Sequence, residues 1–290
     1  MKIRLGAFPW IFPALAMIAV FVVWPAFEMI RTSFQDIDPT GLAKGWAGLE
    51  NYRTLFENPD LKPVLIRTLF WVTGIVFFTI IISLPVAQLL NANFPGRKMV
   101  RWVVIIPWAA SVVMTSTIFK WILDPYSGVL NRLFVDLGLI TEPRDWLGNP
   151  TEAMIWLMVV AVFVSIPFTA FVLLAGLSTV PSDIMEAAKV DGATALKGYR
   201  EITFPLLRPA LLVAAVINLI NVFNSFPIIW IMTQGGPGYM TDTTTTLAYK
   251  ISFRDQNIGA SASMASINFL IIFIFILLFL RVSKWREVTR

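Results

Sequence analysis

The sequence predicts an all-α membrane protein with six transmembrane helices and a short cytoplasmic helix between spans four and five. Apolar residues make up 57% of the 290 residues and charged residues only 14%, whereas soluble proteins average about 45–50% and about 25%. Six stretches without a charged residue approach or exceed the ~20 residues that a spanning helix needs. The chain contains no cysteine and no histidine, which excludes thiol catalysis and histidine-based acid–base or metal chemistry.

The charge-free stretches are 5–27, 68–96, 102–119, 153–182, 209–241 and 256–280. Their apolar residues are continuous rather than alternating, which favours helices over the strands of a membrane barrel. We therefore predict one transmembrane domain over residues 1–290, with spans at about 8–30, 66–91, 101–123, 153–179, 209–232 and 258–281. The third span can extend past Lys120 because a lysine near a helix end can reach the lipid surface.

The first stretch has a second interpretation, because Lys2 and Arg4 before an apolar run also occur in secretory signal peptides. The apolar core of a cleavable signal has ~7–15 residues. Here the uncharged run continues from residue 5 through Trp24 and Pro25. We interpret it as an uncleaved first span.

Basic residues orient the predicted bundle, because cytoplasmic loops are enriched in Lys and Arg. The short connection between spans two and three carries Arg97, Lys98 and Arg101 and no acidic residue. This places that loop, the loop between spans four and five, and both termini in the cytoplasm. The net charge of +5 is then explained by a lipid surface rather than by nucleic acid.

The loop between spans four and five is predicted to contain a short helix. Asp183 and Glu186 have the spacing of a capping box, which starts a helix. Residues 184–195 continue with small side chains, which suit a helix that docks closely against a partner. Pro205 and Pro209 are expected to end this helix and to begin span five.

The spacing of residues across the segment 182–205 is specific. Glu186-Ala187-Ala188 is followed after three residues by Gly192, after nine more by Ile202 and after one more by Phe204-Pro205. This motif resembles the EAA loop of binding-protein-dependent ABC importer permeases, in which leucine occupies the position of Phe204. Asp191-Gly192-Ala193 is typical of the carbohydrate branch of that family.

Three further motifs resemble the larger permease of maltose and glycerol-3-phosphate systems. They are Trp24-Pro25, Ile106-Pro107-Trp108 and the segment Thr233–Pro237. The resemblance implies a permease subunit, in a bacterial or archaeal cell membrane, that forms half of the pathway for a sugar or sugar-like solute. It implies as partners a second homologous permease, two ATPase subunits and an extracellular solute-binding protein.

The resemblance also implies that segment 182–205 couples the permease to the ATPase subunits. The residues expected to carry this contact are Glu186, Ala187, Ala188, Asp191, Gly192 and Ala193. The chain has no G-x-x-x-x-G-K-[ST] phosphate loop. We therefore predict a transport subunit that is not an enzyme and holds no cofactor or metal, with ATP and Mg bound by the partner ATPase subunits.

Polar residues inside apolar spans mark the candidate pathway, because they are costly in a membrane. Asn218, Asn221 and Ser225 fall on one face of a helix, with Asn224 beside them. Neutral amides suit sugar hydroxyls because each amide both donates and accepts hydrogen bonds. In span four, Ser165 lies at mid-depth beside Pro167, which would kink the helix, and Phe168, whose ring could stack on a sugar.

The alternative for these residues is hydrogen bonding between helices, which the sequence alone favours equally. The resemblance favours the pathway, because family permeases contact sugar from these two spans. It brings Asn218, Val222 and Ser225 to the contact positions of span five, with Val222 replacing a polar residue. The predicted pathway residues are Ser165, Phe168, Asn218, Asn221, Val222, Asn224 and Ser225.

Two other functions remain as alternatives, a secondary transporter and a structural membrane subunit. Secondary transporters often place coupling acids or bases within the membrane. No predicted span of this chain has a charge near its centre. The spacing of the segment 182–205 argues against both alternatives.

Overall fold

The computed structural model describes residues 8–284, so the predicted cytoplasmic ends of the chain lie outside the described residues. Five described helices are long and apolar enough to span a membrane, and a bent pair of helices provides a sixth candidate. The chain forms two compact units. Among the described residues, one unit contains 8–63 together with Leu247–Ile272, and the other contains Val64–Thr246 together with 273–284.

The first unit begins with a long apolar helix and continues into a small hairpin. Its elements are α1 (Phe8–Ile18), a π-helical turn (Ala19–Val23), α2 (Trp24–Thr32), antiparallel strands β1 (Gln35–Ile37) and β2 (Ala43–Trp46), and α3 (Glu50–Glu57). No residue of the most apolar window of Pro9–Thr32 is buried by the rest of the chain. The Asn51 amide donates to the carbonyls of Ser33 and Gln35, so a side chain fixes α3 against the hairpin.

The second unit contains most of the remaining helices. They are α4 (Leu61–Asn91), α5 (Arg97–Ala109), α6 (Val112–Ile122), α7 (Val129–Asp136), α8 (Pro150–Leu177), α9 (Ser182–Val190), α10 (Ala195–Gly198), a π-helical turn (Tyr199–Thr203), α11 (Phe204–Phe223) and α12 (Phe226–Met232). The last two helices of the chain are α13 (Thr244–Phe253) and α14 (Ile258–Lys284). Both contribute residues to both units, as does α4, whose first three residues belong to the first unit.

Helices α4, α8 and α11 share the apolar core of the second unit. Leu90, Leu173 and Leu207 are fully buried there. A Cβ added at Gly176 of α8 would lie too close to the Cβ of Ala210 on α11. Small residues of this kind let membrane helices approach closely, and close packing holds them together because lipid is as apolar as leucine.

The predicted third span is divided into two helices. α5 and α6 meet at an angle of 92°, because Ala110 and Ser111 both have extended backbone conformations. Pro107 lies in the last turn of α5 and has no N–H to donate to the preceding turn. The structure therefore replaces the predicted continuous helix over 101–123 with a sharply bent pair.

The helix observed in the structure begins and ends at other residues than the predicted fifth span, 209–232. A helix with one π-helical turn runs from Ala195 to Phe223, so Pro205 does not separate the coupling segment from the span. That proline lies just after the π-helical turn Tyr199–Thr203, and such local π-helical adjustments let a membrane helix accommodate a proline. At the other end the helix stops at Phe223, and α12 begins at Phe226 with Pro227 in its first turn.

Single cysteines can test the orientation, because the natural chain has none. Leu139 and Leu196 are both exposed, at 64% and 77%. We expect a membrane-impermeant maleimide to label Leu139→Cys in intact cells, because the basic loops predict that residue outside. We expect Leu196→Cys and Lys98→Cys to react only after the membrane is opened. Labelling of Leu196→Cys in intact cells would overturn the orientation.

Candidate functional site

The second unit contains a cavity of about 300 Å³ between α5, α6, α8, α11 and α12, which we call the asparagine cavity. All seven predicted pathway residues line it, namely Ser165, Phe168, Asn218, Asn221, Val222, Asn224 and Ser225. The helix break after Phe223 helps to form the cavity, because it turns Pro227 and Ile228 of α12 into the same wall. Contact of these residues with a solute stays a prediction.

The two central asparagines have different environments. Asn218 is only 2% exposed, and its amide donates to Thr169 Oγ1 at 2.7 Å and to the Ala214 carbonyl at 2.8 Å. It therefore connects α11 to α8 from within the wall. Asn221 is exposed, and no hydrogen bond joins its amide to another described residue, so it is available to a ligand.

Asn224 and Ser225 end helix α11. The Asn224 amide donates to the Ile220 carbonyl at 3.0 Å, and Ser225 Oγ donates to the Val222 carbonyl at 2.6 Å. The indole N–H of Trp71, on α4, lies 2.9 Å from Ser225 Oγ and 3.2 Å from the Val222 carbonyl. These side chains add to backbone bonds, because the Ile220 carbonyl also accepts the Asn224 N–H at 3.3 Å and the Val222 carbonyl accepts the Ser225 N–H at 3.2 Å. The carbonyls at this helix end are therefore well satisfied.

Two residues of this site, Trp71 and Trp108, are not among the residues that the sequence predicts for it. Trp71 is 1% exposed, and nothing in its local sequence indicates a partner 154 residues away. Trp108 lines the cavity and stacks on Phe168, with ring centroids 6.3 Å apart and planes inclined by 23°. Its position beside Pro107, just before the bend, was a signal that could have identified it.

The polar groups of the cavity are neutral. None of the described residues that line it is charged. Ser165 Oγ donates to the Ala161 carbonyl at 2.7 Å, so its oxygen can accept a hydrogen bond from a ligand. The arrangement offers amides, hydroxyl oxygens and an aromatic pair, and it suits an uncharged ligand with many hydroxyl groups.

The coupling segment folds as a short helix followed by a turn. α9 ends at Val190, and the Ala193 N–H bonds to the Ala188 carbonyl at 2.9 Å, which is the bond of a Schellman helix end. Gly192 has φ +81°, and Thr194 Oγ1 accepts a bond from the Lys197 N–H to begin α10. The expected helix over 184–195 therefore stops early because Gly192 adopts the left-handed conformation.

The predicted coupling residues are divided between the helix and this turn. Glu186, Ala187 and Ala188 lie in α9, and Asp191, Gly192 and Ala193 lie in the turn. All six are exposed or half-buried. Nothing lies within 4 Å of the place where a Cβ at Gly192 would point. The segment is open to a partner, and binding of an ATPase subunit stays a prediction.

Comparison with known proteins gives consistent matches. The family described as binding-protein-dependent transport system inner membrane component matches residues 75–287. A probable ABC transporter permease protein of Brucella suis biovar 1 is 37% identical over 277 residues, covering 96% of each chain. The trehalose/maltose transport system permease protein MalF of Thermococcus litoralis is 31% identical, covering 96% of this chain and 93% of that protein.

A solved structure has the same fold. It is a bacterial ABC transporter involved in the import of the acidic polysaccharide alginate. The matched chain has a TM-score of 0.84 and 22% identity, with coverage of 98% of this chain and 96% of that one. At this level of identity the similarity shows the fold alone.

Because Asn218 and Asn221 have different environments, we expect their replacement by leucine to change the thermal stability of the protein to different extents. Asn218→Leu removes a buried bond between helices, and such bonds contribute about 0.6 to 1.7 kcal/mol in membrane proteins. We expect a lower thermal midpoint for this variant in detergent, and an unchanged midpoint for Asn221→Leu. Equal losses in the two variants would show that Asn221 also holds the helices together.

The turn at Gly192 predicts a graded effect of substitution. Left-handed backbone costs L-residues about 1–2 kcal/mol, and asparagine tolerates it better than a β-branched residue does. We expect Gly192→Val to accelerate trypsin cleavage between α9 and α11, and Gly192→Asn to remain close to the natural protein. Equal cleavage rates in both variants would contradict the assigned turn.

Proposed function

This chain belongs to the family of binding-protein-dependent transport system inner membrane components, and from that premise we propose that it carries a sugar or sugar-like solute. In this proposal it is the permease subunit of an ATP-driven importer and forms half of the translocation pathway. A second, homologous permease subunit forms the other half.

The asparagine cavity is the observation that supports a sugar most strongly. It combines the exposed amides of Asn221 and Asn224 with the stacked rings of Trp108 and Phe168. Sugars present hydroxyl groups at their edges and C–H groups on their faces, so they match amides and aromatic rings respectively. The name of the Thermococcus relative, which refers to trehalose and maltose, agrees with this chemistry.

The energy for transport comes from other subunits in this proposal. The sequence has no phosphate-binding loop, so two ATPase subunits would bind ATP and Mg. The exposed coupling segment, α9 with the turn at Gly192, would dock on those subunits. Glu186 lies in the second turn of α9 and is exposed, so its carboxylate can accept a bond from a basic group of the ATPase.

The remaining partner is an extracellular solute-binding protein, which delivers the solute. A related solved structure contains a bacterial alginate ABC transporter with a periplasmic protein bound to an alginate pentasaccharide. We place both termini and the coupling segment in the cytoplasm of a bacterial or archaeal cell. The basic loop with Arg97, Lys98 and Arg101 supports this orientation.

Uptake into proteoliposomes tests the function. The complete importer is reconstituted with its binding protein, and uptake and stimulation of ATP hydrolysis are measured for a panel of sugars. We expect Asn221→Leu to lower uptake of the active sugar about tenfold, since a lost bond to a ligand is worth about 1.4 kcal/mol. Asn91→Leu, at an exposed asparagine outside the cavity, is the matched control.

Two results would oppose the proposal. Uptake that is unchanged by Asn221→Leu would remove the asparagine cavity from the pathway. If ATP hydrolysis responds to another class of solute and to no sugar, the sugar assignment is rejected. The assignment of the chain as an importer permease would still hold.

A further inference from the structure

A second cavity, of about 350 Å³, lies at the other end of the helix pair α6 and α12. We call it the aspartate cavity, because Asp124 and Asp145 line it together with Lys120. α6 and α12 pack against each other. α12 contacts the asparagine cavity through Ile228 and the aspartate cavity through Met232, a separation of about 6 Å along a helix.

The walls of this cavity are fixed in place. Lys120 Nζ donates to the Ile231 carbonyl at 3.1 Å, which attaches α6 to the last turn of α12. Asp124 Oδ1 accepts bonds from the Tyr126 N–H and from the Ser127 N–H and hydroxyl. The second oxygen of that carboxylate has no hydrogen bond to a described residue and can accept one from a ligand.

Asp145 is fixed from two sides. Its Oδ1 accepts the Leu147 N–H at 3.2 Å. Its Oδ2 lies against Gly148, where an added Cβ would overlap the carboxylate. Glycine at this position therefore leaves the space that the Asp145 carboxylate occupies at the cavity wall.

The charge of the cavity is negative at neutral pH. Bonds from the Ser127 N–H, the Tyr126 N–H and the Ser127 hydroxyl lower the pKa of the Asp124 carboxyl. The lining contains two acidic residues, Asp124 and Asp145, and one basic residue, Lys120, which already donates to a carbonyl. A sugar hydroxyl can donate to a carboxylate oxygen, whereas an anionic sugar is repelled.

We propose that the aspartate cavity is a second sugar subsite, which accepts uncharged sugars and excludes anionic ones. It rests on the proposed function, and it assigns a substrate class to the pathway. The neutral asparagine cavity supports the same class, because none of its described lining residues could pair with a buried anion. The aspartate cavity and the asparagine cavity lie at opposite ends of the packed helices α6 and α12.

Cysteine protection in the assembled importer tests this subsite. Leu147→Cys reports on the aspartate cavity, Val164→Cys on the asparagine cavity, and the exposed Leu139→Cys is the control. The probes are maltose, trehalose, glucuronate and glucose 6-phosphate at about 10 mM. A site with a Kd of about 1 mM would then slow maleimide labelling about tenfold.

We expect a neutral disaccharide to protect both cavity cysteines and the two anionic sugars to protect neither. Asp124→Asn and Asp145→Asn keep the Oδ1 acceptor that holds each turn, and remove the charge. Together they should allow glucuronate to protect Leu147→Cys. Failure of the anionic sugar to gain protection in the double variant would reject the charge-based exclusion.

The other outcomes separate the two proposals. Sugar protection at Val164→Cys without protection at Leu147→Cys would overturn the second subsite and leave the proposed function intact. Protection of Leu147→Cys by calcium chloride and not by sugar would assign the carboxylates to a cation. No protection at either cavity would oppose the sugar assignment together with the subsite.

Discussion

The carbonyl groups at the end of α11 impose the constraint on which the candidate site depends. A helix that stops inside an apolar stretch leaves carbonyls without helical partners, and a membrane offers no water to satisfy them. Here the Val222 carbonyl, near the end of α11, accepts bonds from the Ser225 N–H, the Ser225 hydroxyl and the indole of Trp71. The Ile220 carbonyl accepts the Asn224 N–H and the Asn224 amide. Because this end is satisfied, the chain can restart as α12 and leave a polar cavity beside the break.

The same cavity is bounded by a second interruption. The bend between α5 and α6 places Trp108 before the break and Val112 after it, and both line the asparagine cavity. Irregular backbone at membrane depth is tolerated where protein covers it or where it lines a cavity. The two broken spans therefore line the cavity with residues beside their breaks, whereas α8 lines it from a helix that continues unbroken through Pro167.

The described lining of the asparagine cavity has no charged residue, which is compatible with the passage of an uncharged solute. The asparagine cavity has amides and aromatic rings, whereas Lys120, Asp124 and Asp145 lie at the far end of α6 and α12. The coupling segment is separate again and ends in the glycine turn at Gly192. The candidate binding residues and the proposed coupling residues thus occupy different parts of one chain.

The sequence by itself determined the all-α membrane class, and it predicted the approximate spans and the coupling motif, because these depend on local composition and spacing. It also predicted that Asn218, Asn221 and Ser225 lie on one side of span five. All three line the asparagine cavity, although Ser225 lies beyond the end of α11. Only the tertiary structure decided their roles. Asn218 is a helix connector because Thr169, 49 residues earlier, accepts its amide hydrogen. The helix breaks after Ala109 and Phe223 were also beyond the sequence, because an apolar run shows where a helix can form and not where distant side chains allow it to end.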